Sequence, residues 1–266
     1  MTVNSYLDNI ARNSIIRDTE KESISRSIRT LKNRLNSYFG NDLSDTMIFG
    51  SYSRNTILPR TMDNESDIDY MIVFKDSTFQ PQTYLNKLRR FVEFYYSSSD
   101  IKQSNPTIIL SLNHINFELV PAINNLFTGL KIPAKVSDYN NWIDTDPISF
   151  NTKLTTANQY NNNLIKPLVR LIKYWNVCNG KPFESYDIEQ KIILNNSSPR
   201  NILLIGKSLR ELFYEAILNL EVSWLEAQWK KEKVERAKKL INEIKLYDSL
   251  QSSLAISSLK RLLPEI

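Results

Sequence analysis

Residues 67–74, DIDYMIVF, constrain the fold more than any other stretch of the chain. Their alternation and their β-branched and aromatic content predict a strand. On a strand, side chains at i and i+2 share a face, so Asp67 and Asp69 stand roughly 7 Å apart on one side. Ile68, Tyr70, Ile72 and Phe74 face the other way, toward a core. Two carboxylates side by side at the head of an apolar strand repel each other. One reading is a pair of solvated aspartates at a strand end. The other is an oxygen-rich site for a hard divalent cation, which neutralises the repulsion.

Glu118 bears on that choice. In INFELVPA it lies between Phe117 and Leu119 and must point opposite to both on a strand. An acid in so apolar a strand is costly unless a cation meets it. If that strand neighbours residues 67–74, three carboxylates converge, an arrangement suited to two metal ions and phosphoryl chemistry. Gly50 and Ser51 follow a short expected strand, Asp45 to Phe49. Glycine lets backbone approach a phosphate, and Ser51 adds a hydroxyl, although a Gly-Ser pair is more often only a turn.

Residues 18–39 read as a helix, with Ile24, Ile28, Leu31 and Leu35 at helical spacing. Residues 81–96 read as another. Pro106 to Leu112 and Ile115 to Val120 read as two strands joined at Asn113-His114. From about residue 150 the pattern is helical almost throughout, with one or two long amphipathic helices over Val222 to Leu250. The front half is therefore mixed α/β and the back half α. In the helix from Leu164 to Trp175, Lys166, Arg170 and Lys173 fall at i, i+4 and i+7 and form one cationic stripe. That stripe is either an ordinary solvated face or a phosphate-binding one. Ser185, read alone, is the N-cap of a further helix.

Composition narrows the chemistry. The 266 residues include one cysteine and one histidine, Cys178 and His114, which exclude an intrachain disulfide, a Cys-cluster zinc site and a His-rich metal site. The net charge of +5 suits a polyanionic partner, nucleic acid or nucleoside triphosphate, or simply solubility. No apolar run approaches the ~20 residues of a membrane span. MTVNSYLDNIARNS has no apolar stretch of the kind a secretory leader needs. A cytoplasmic protein without a membrane partner is expected.

Taken in order, GSYSRNTILPR, SDIDYMIVF and FELVPA resemble the DNA polymerase β-like nucleotidyltransferase superfamily. WIDTDPISF, TTANQYNNNLIKPLVRLIKYWN and FESYDIE extend the resemblance to its bacterial cGAS/DncV-like branch (CD-NTases), over most of residues 20–190. The chain departs from the pattern at Asn55, where glycine is common, and at Glu118, where Asp is more usual. Asn tolerates positive φ better than most residues, so the turn survives.

The resemblance implies an α+β fold: a polymerase β-like palm of mixed sheet and helices, an α-helical lobe, and a cleft between them. Residues 1–145 would form the nucleotidyltransferase core with N-terminal helices, and residues 146–266 the helical lobe completing the nucleotide cleft. Asp67, Asp69 and Glu118 would be the catalytic metal ligands, holding two Mg2+ ions, with Mn2+ able to substitute. Gly50, Ser51, Lys173 and Ser185 would bind phosphates, and Tyr186 would stack on a base. The implied activity is synthesis of a cyclic di- or trinucleotide second messenger from nucleoside triphosphates, in anti-phage defence (CBASS), with a downstream effector binding the product. A nucleic-acid activator is not expected, because one cysteine and one histidine cannot build the zinc insertion of animal DNA sensors. A transferase that modifies a small molecule of the aminoglycoside type, or a protein, shares Gly-Ser and the paired aspartates. It does not usually carry the lysine-stripe helix followed by Ser-Tyr. A nucleic-acid binder on a dead transferase scaffold fits the charge but not the three retained acids.

Overall fold

The computed structural model describes residues 1–104, 106–125, 129–134, 141–197 and 206–265. Helices α1 (Val3–Asn13) and α2 (Asp18–Phe39) lead into β1 (Leu43–Ile48), the single turn α3 (Gly50–Ser53) and β2 (Asp67–Phe74). Next come α4 (Pro81–Tyr95), β3 (Asp100–Ser104), β4 (Thr107–Ser111), β5 (Asn116–Asn125), β6 (Gly129–Pro133) and β7 (Trp142–Asp144). The remainder is helical: α5 (Pro147–Tyr160), α6 (Ile165–Cys178), α7 (Ser185–Asn196), α8 (Leu209–Leu218), α9 (Gln228–Leu250) and α10 (Ser252–Leu262).

Two compact units result. One comprises Ile16–Ile57 and Glu65–Asn151 and carries the sheet. Its strands run in the order β1-β2-β5-β4-β3, with β6 paired to β5 and β7 to β6. β2 and β5 are parallel, and the other pairs are antiparallel. One sheet face buries Ile68, Tyr70, Ile72, Phe74, Phe117 and Leu119 in a core with Ile24, Leu31 and Leu35 of α2 and Leu85, Leu88 and Phe91 of α4. The helices supply those residues at turn spacing, and α4 starts with Pro81, whose missing N–H costs nothing in a first turn. Each such side chain, fully buried, contributes about 1.5–3 kcal/mol. The other face is covered differently. Met71, Val73 and Ala122 pack with Met47, Phe49, Leu130 and Ile132 over one part of the strands. Asp67, Asp69 and Glu118 lie on that face too, half-buried.

The other unit comprises Met1–Ile15, Leu58–Asn64 and Thr152–Ile266. Helix α6 is its centre: every residue from Leu168 to Asn176 is buried. A helix apolar on one side alone would not sit there. The expected core of residues 1–145 placed α1 with the sheet. The structure packs α1 among helices instead, because Val3, Tyr6, Leu7 and Ile10 are buried against α6, α8 and α10. The Tyr6 hydroxyl donates to the Leu263 carbonyl at 2.7 Å, tying α1 to the chain after α10. Among the described residues, no helix is long and apolar enough to cross a membrane.

Candidate active site

The strand pattern that sets the core face of β2 also sets its acidic face. In the parallel β2–β5 pair, Asp67 is in register with Asn116 and Asp69 with Glu118. Register partners project to the same side, so Asp69 and Glu118 are lateral neighbours on the face opposite α2 and α4. On the far side of Glu118 the register partner is Ile109 of β4. Phe117 and Leu119, which flank Glu118 in sequence, are fully buried on the opposite face. The alternation thus places three acids on one face and the large apolar side chains on the other.

The turn after β1 closes onto this face. The Phe49 amide donates to the Asp69 carbonyl at 3.0 Å, so residue 50 follows directly beside Asp69. Gly50 has φ +67, a left-handed conformation that L side chains rarely adopt. A β-carbon there would fall inside the Asp69 carboxylate, so only glycine leaves room for that side chain. The Ser51 carbonyl accepts from the amides of Thr56, at 3.0 Å, and Ile57, at 3.2 Å, and the Ser53 hydroxyl donates to the Gly50 carbonyl. Asn55 takes φ +58, the conformation that asparagine tolerates and glycine would fill. The turn is fixed from within, and the Ser51 side chain is half-buried beside the acids.

Oxygen donors of this kind suit a hard divalent cation, and the gap left by Gly50 keeps one of them, the Asp69 carboxylate, in place. Among the described residues no group of three or more His, Cys, Asp or Glu side chains stands closed around a metal position. The fit therefore rests on donor chemistry and on the shared sheet face, not on a finished cage.

The remaining expected contacts lie in the helical unit. The stripe on α6 exists as an angle but not as one surface, because the helix is packed on all sides. Lys166 is half-buried, and burial, followed by the charge of Arg170, lowers its pKa. Arg170 is buried at the end of α1. Its Nε donates to the Ser14 hydroxyl at 3.0 Å and its Nη2 to the Ala11 carbonyl at 3.4 Å. Burial depresses the guanidinium to about 10. Lys173 points to α7, where its Nζ is 2.5 Å from Glu189 Oε1. Ser185 opens α7 as its first residue. The N-cap is Glu184, with no side-chain capping bond, so the capping role expected of Ser185 is not the one it takes. Ser185 and Tyr186 are exposed. Sequence reasoning missed Glu189, and also Asn176, whose side chain binds the backbone of Phe183 just before α7. Helical spacing puts Asn176 one turn beyond Lys173, but nothing in the sequence marks its partner.

The Second Messenger Oligonucleotide or Dinucleotide Synthetase (SMODS) domain matches residues 1–158. The chain belongs to the SMODS family. As a SMODS protein it is a nucleotidyltransferase that makes an oligonucleotide second messenger. It is 27% identical over 241 residues to a probable cyclic nucleotide synthase of Bacillus cereus (strain VD146), a match covering 72% of this chain and 70% of that one. The SMODS chain also superposes on Vibrio cholerae DncV cyclic AMP-GMP synthase, solved with the linear intermediate 5' pppA(3',5')pG. There the TM-score is 0.76 at 9% identity, over 96% of this chain and 92% of that one. The Bradyrhizobium diazoefficiens CD-NTase CdnG, in complex with GTP, gives 0.68 at 11% identity over 97% and 98%. At these identities the likeness is one of fold, and it is the polymerase β-like α+β fold expected from the sequence.

Proposed function

We propose that this SMODS protein joins nucleoside triphosphates into a cyclic di- or trinucleotide, with Asp67, Asp69 and Glu118 as the ligands of its divalent metal. The observation that carries this reading is the register pairing of Asp69 with Glu118, beside the Gly50-Ser51 turn. Mg2+ in this position, or Mn2+ in its place, supplies positive charge to the reacting phosphate and the attacking hydroxyl. Asp67, Asp69 and Glu118, on one face of the sheet, would hold the ion. The Gly50-Ser51 turn offers a hydroxyl and close backbone to phosphate oxygens. Lys173 and Ser185 bind the triphosphate, and Tyr186, exposed at the start of α7, stacks on a base. A 2'- or 3'-hydroxyl of the acceptor attacks the donor α-phosphorus and pyrophosphate leaves. The linear product, which keeps its own 5'-triphosphate, then turns in the site; its free 2'- or 3'-hydroxyl attacks that α-phosphorus, a further pyrophosphate leaves and the ring closes, in keeping with the linear intermediate bound by the Vibrio cholerae enzyme. The role is cytoplasmic anti-phage signalling (CBASS) through an effector that binds the cyclic product.

Incubation with all four nucleoside triphosphates and Mg2+, then phosphatase treatment and mass spectrometry, tests the reading. A phosphatase-resistant oligonucleotide made without another acceptor supports it. Label passing only to an added aminoglycoside or protein replaces it with the modifying-transferase alternative.

A further inference from the structure

Two side chains of α6, one turn apart, fix the beginning of α7. Asn176 is 2% exposed, and it holds Phe183 at both backbone groups. Its Nδ2 donates to the Phe183 carbonyl at 2.8 Å, and its Oδ1 accepts from the Phe183 amide at 3.0 Å. This is the pairing that a β-strand neighbour makes, supplied here by a side chain. The Asn176 carbonyl also accepts from the Lys181 amide at 2.8 Å. Lys181 has φ +56, a costly conformation for a residue that is neither Gly nor Asn, and it follows Gly180 at φ +81. Its Nζ is 2.9 Å from Asp63. One turn earlier on α6, Lys173 meets Glu189, which is fully buried and lies one turn beyond Ser185 on the same side of α7.

The loop from Asn179 to Glu184 is therefore held at every second residue, and what it delivers is Ser185 and Tyr186, both exposed. A loop needed only to join two helices would not require a strained lysine and a buried amide clamped at both ends. Strain of this kind persists where the surroundings over-determine it, which is characteristic of preorganised binding sites.

We propose that Asn176 is a positioning residue for nucleotide binding: through the Phe183 backbone it presets the first turn of α7, so that Ser185 and Tyr186 meet the nucleotide without first having to be ordered. Glu189 plays the matching part for Lys173, fixing where its ammonium stands. Both roles rest on the reading of Lys173, Ser185 and Tyr186 as nucleotide contacts.

Asn176→Asp tests the first role. It keeps the acceptor for the Phe183 amide but places a carboxylate against the Phe183 carbonyl. KM for ATP and for GTP, each with Mg2+, is measured beside kcat and the thermal midpoint. Glu189→Gln is measured in parallel. The expected result is a KM raised about tenfold, the scale of one lost buried hydrogen bond, with kcat at saturation changed much less. A second signature is specific to the clamp. Protonated aspartic acid restores the donor, so KM of Asn176→Asp falls back toward the parent value as pH is lowered, relative to the parent at the same pH. A lowered thermal midpoint with KM unchanged in the folded protein shows the clamp to be only structural and overturns the proposal. If Asn176→Asp does not fold, Lys181→Gly, which removes the Asp63 ion pair at a φ that glycine accepts, is read in the same way. Ser185→Ala and Lys173→Ala separate the two layers. If they raise KM and Asn176→Asp does not, the positioning role fails alone. If they too leave KM unchanged, the nucleotide reading of α7 fails with it.

Discussion

Glu118 stands directly across from Asp69 on a parallel strand pair, on the sheet face opposite the core that α2 and α4 complete. Each strand reached that position by the same alternation, one residue in and one residue out. The consequence is a like-charged pair built into the backbone register, and no rotamer change can separate its two Cα atoms.

Asp69→Asn removes one charge of the proposed metal site and relieves the repulsion with Glu118. Turnover should fall by at least about a hundredfold, while the thermal midpoint holds or rises. Pyrophosphate release measured beside circular dichroism checks both. Appreciable turnover in a folded Asp69→Asn protein sinks the metal assignment.

Gly50→Ala brings together two costs. The left-handed φ costs an L-residue about 1 kcal/mol, and the new β-carbon displaces the Asp69 carboxylate. A large loss of kcat with destabilisation of about 1–2 kcal/mol is expected. Asn55→Gly, at the other left-handed position of the turn, should stay within about 0.5 kcal/mol of the parent. Urea unfolding of both variants decides; a Gly50→Ala protein as stable as Asn55→Gly would mean that neither the φ nor the closeness to Asp69 constrains residue 50.

A ligand that binds only the folded state stabilises it by mass action, about 2.7 kcal/mol at a hundred times its Kd. Mg2+ should therefore raise the thermal midpoint of the parent protein and leave that of the Asp67→Asn, Asp69→Asn double variant where it was. A chelator should abolish turnover and reverse the shift. An equal Mg2+ shift in parent and double variant places the ion elsewhere.

Three tyrosines of the helical unit give it an alkaline limit. Burial, aided by nearby Cys178, pushes Tyr174 up to about 12, and burial raises Tyr6 and Tyr214 further. Groups whose pKa is raised on folding lend stability that is complete below the unfolded value near 10 and is lost as pH climbs through the folded value. Stability should be level up to about pH 9 and then fall steeply between about 10 and 12. Tyr6→Phe, which also loses the bond to Leu263, should lower stability at neutral pH and flatten the alkaline decline. Denaturant midpoints across pH would show it; a curve flat to pH 12 would contradict it.

What the sequence disclosed followed from local repetition. The bounds of α2 and β2 match the expected 18–39 and 67–74 because their apolar positions repeat cleanly over the whole element. The face of Glu118 was legible for the same reason. The neighbour of that face was not, since strand pairing is a non-local property that alternation does not encode. Strands β3, β6 and β7 were missed: they are short, and the exposed side chains of β3 and β7 leave little apolar signal. Arg170 shows the opposite error. Its spacing with Lys166 and Lys173 read as one cationic stripe, solvated or phosphate-binding, yet Arg170 is buried and hydrogen-bonds to Ser14 and Ala11 from the far end of the chain.

The parallel pairing of β2 and β5 also dates the site within the life of the molecule. Helix α4 and strands β3 and β4 lie between the two strands in the chain, and parallel neighbours cannot be joined by a tight turn. Asp69 and Glu118 therefore meet only after that intervening chain has been made and folded across, a slow, non-local event. A ribosome-bound chain that has emerged only through α4 already carries both aspartates, but it has no third acid and no β5 for β2 to pair with. The proposed metal site thus lacks its third acid until β5 has been made and paired with β2.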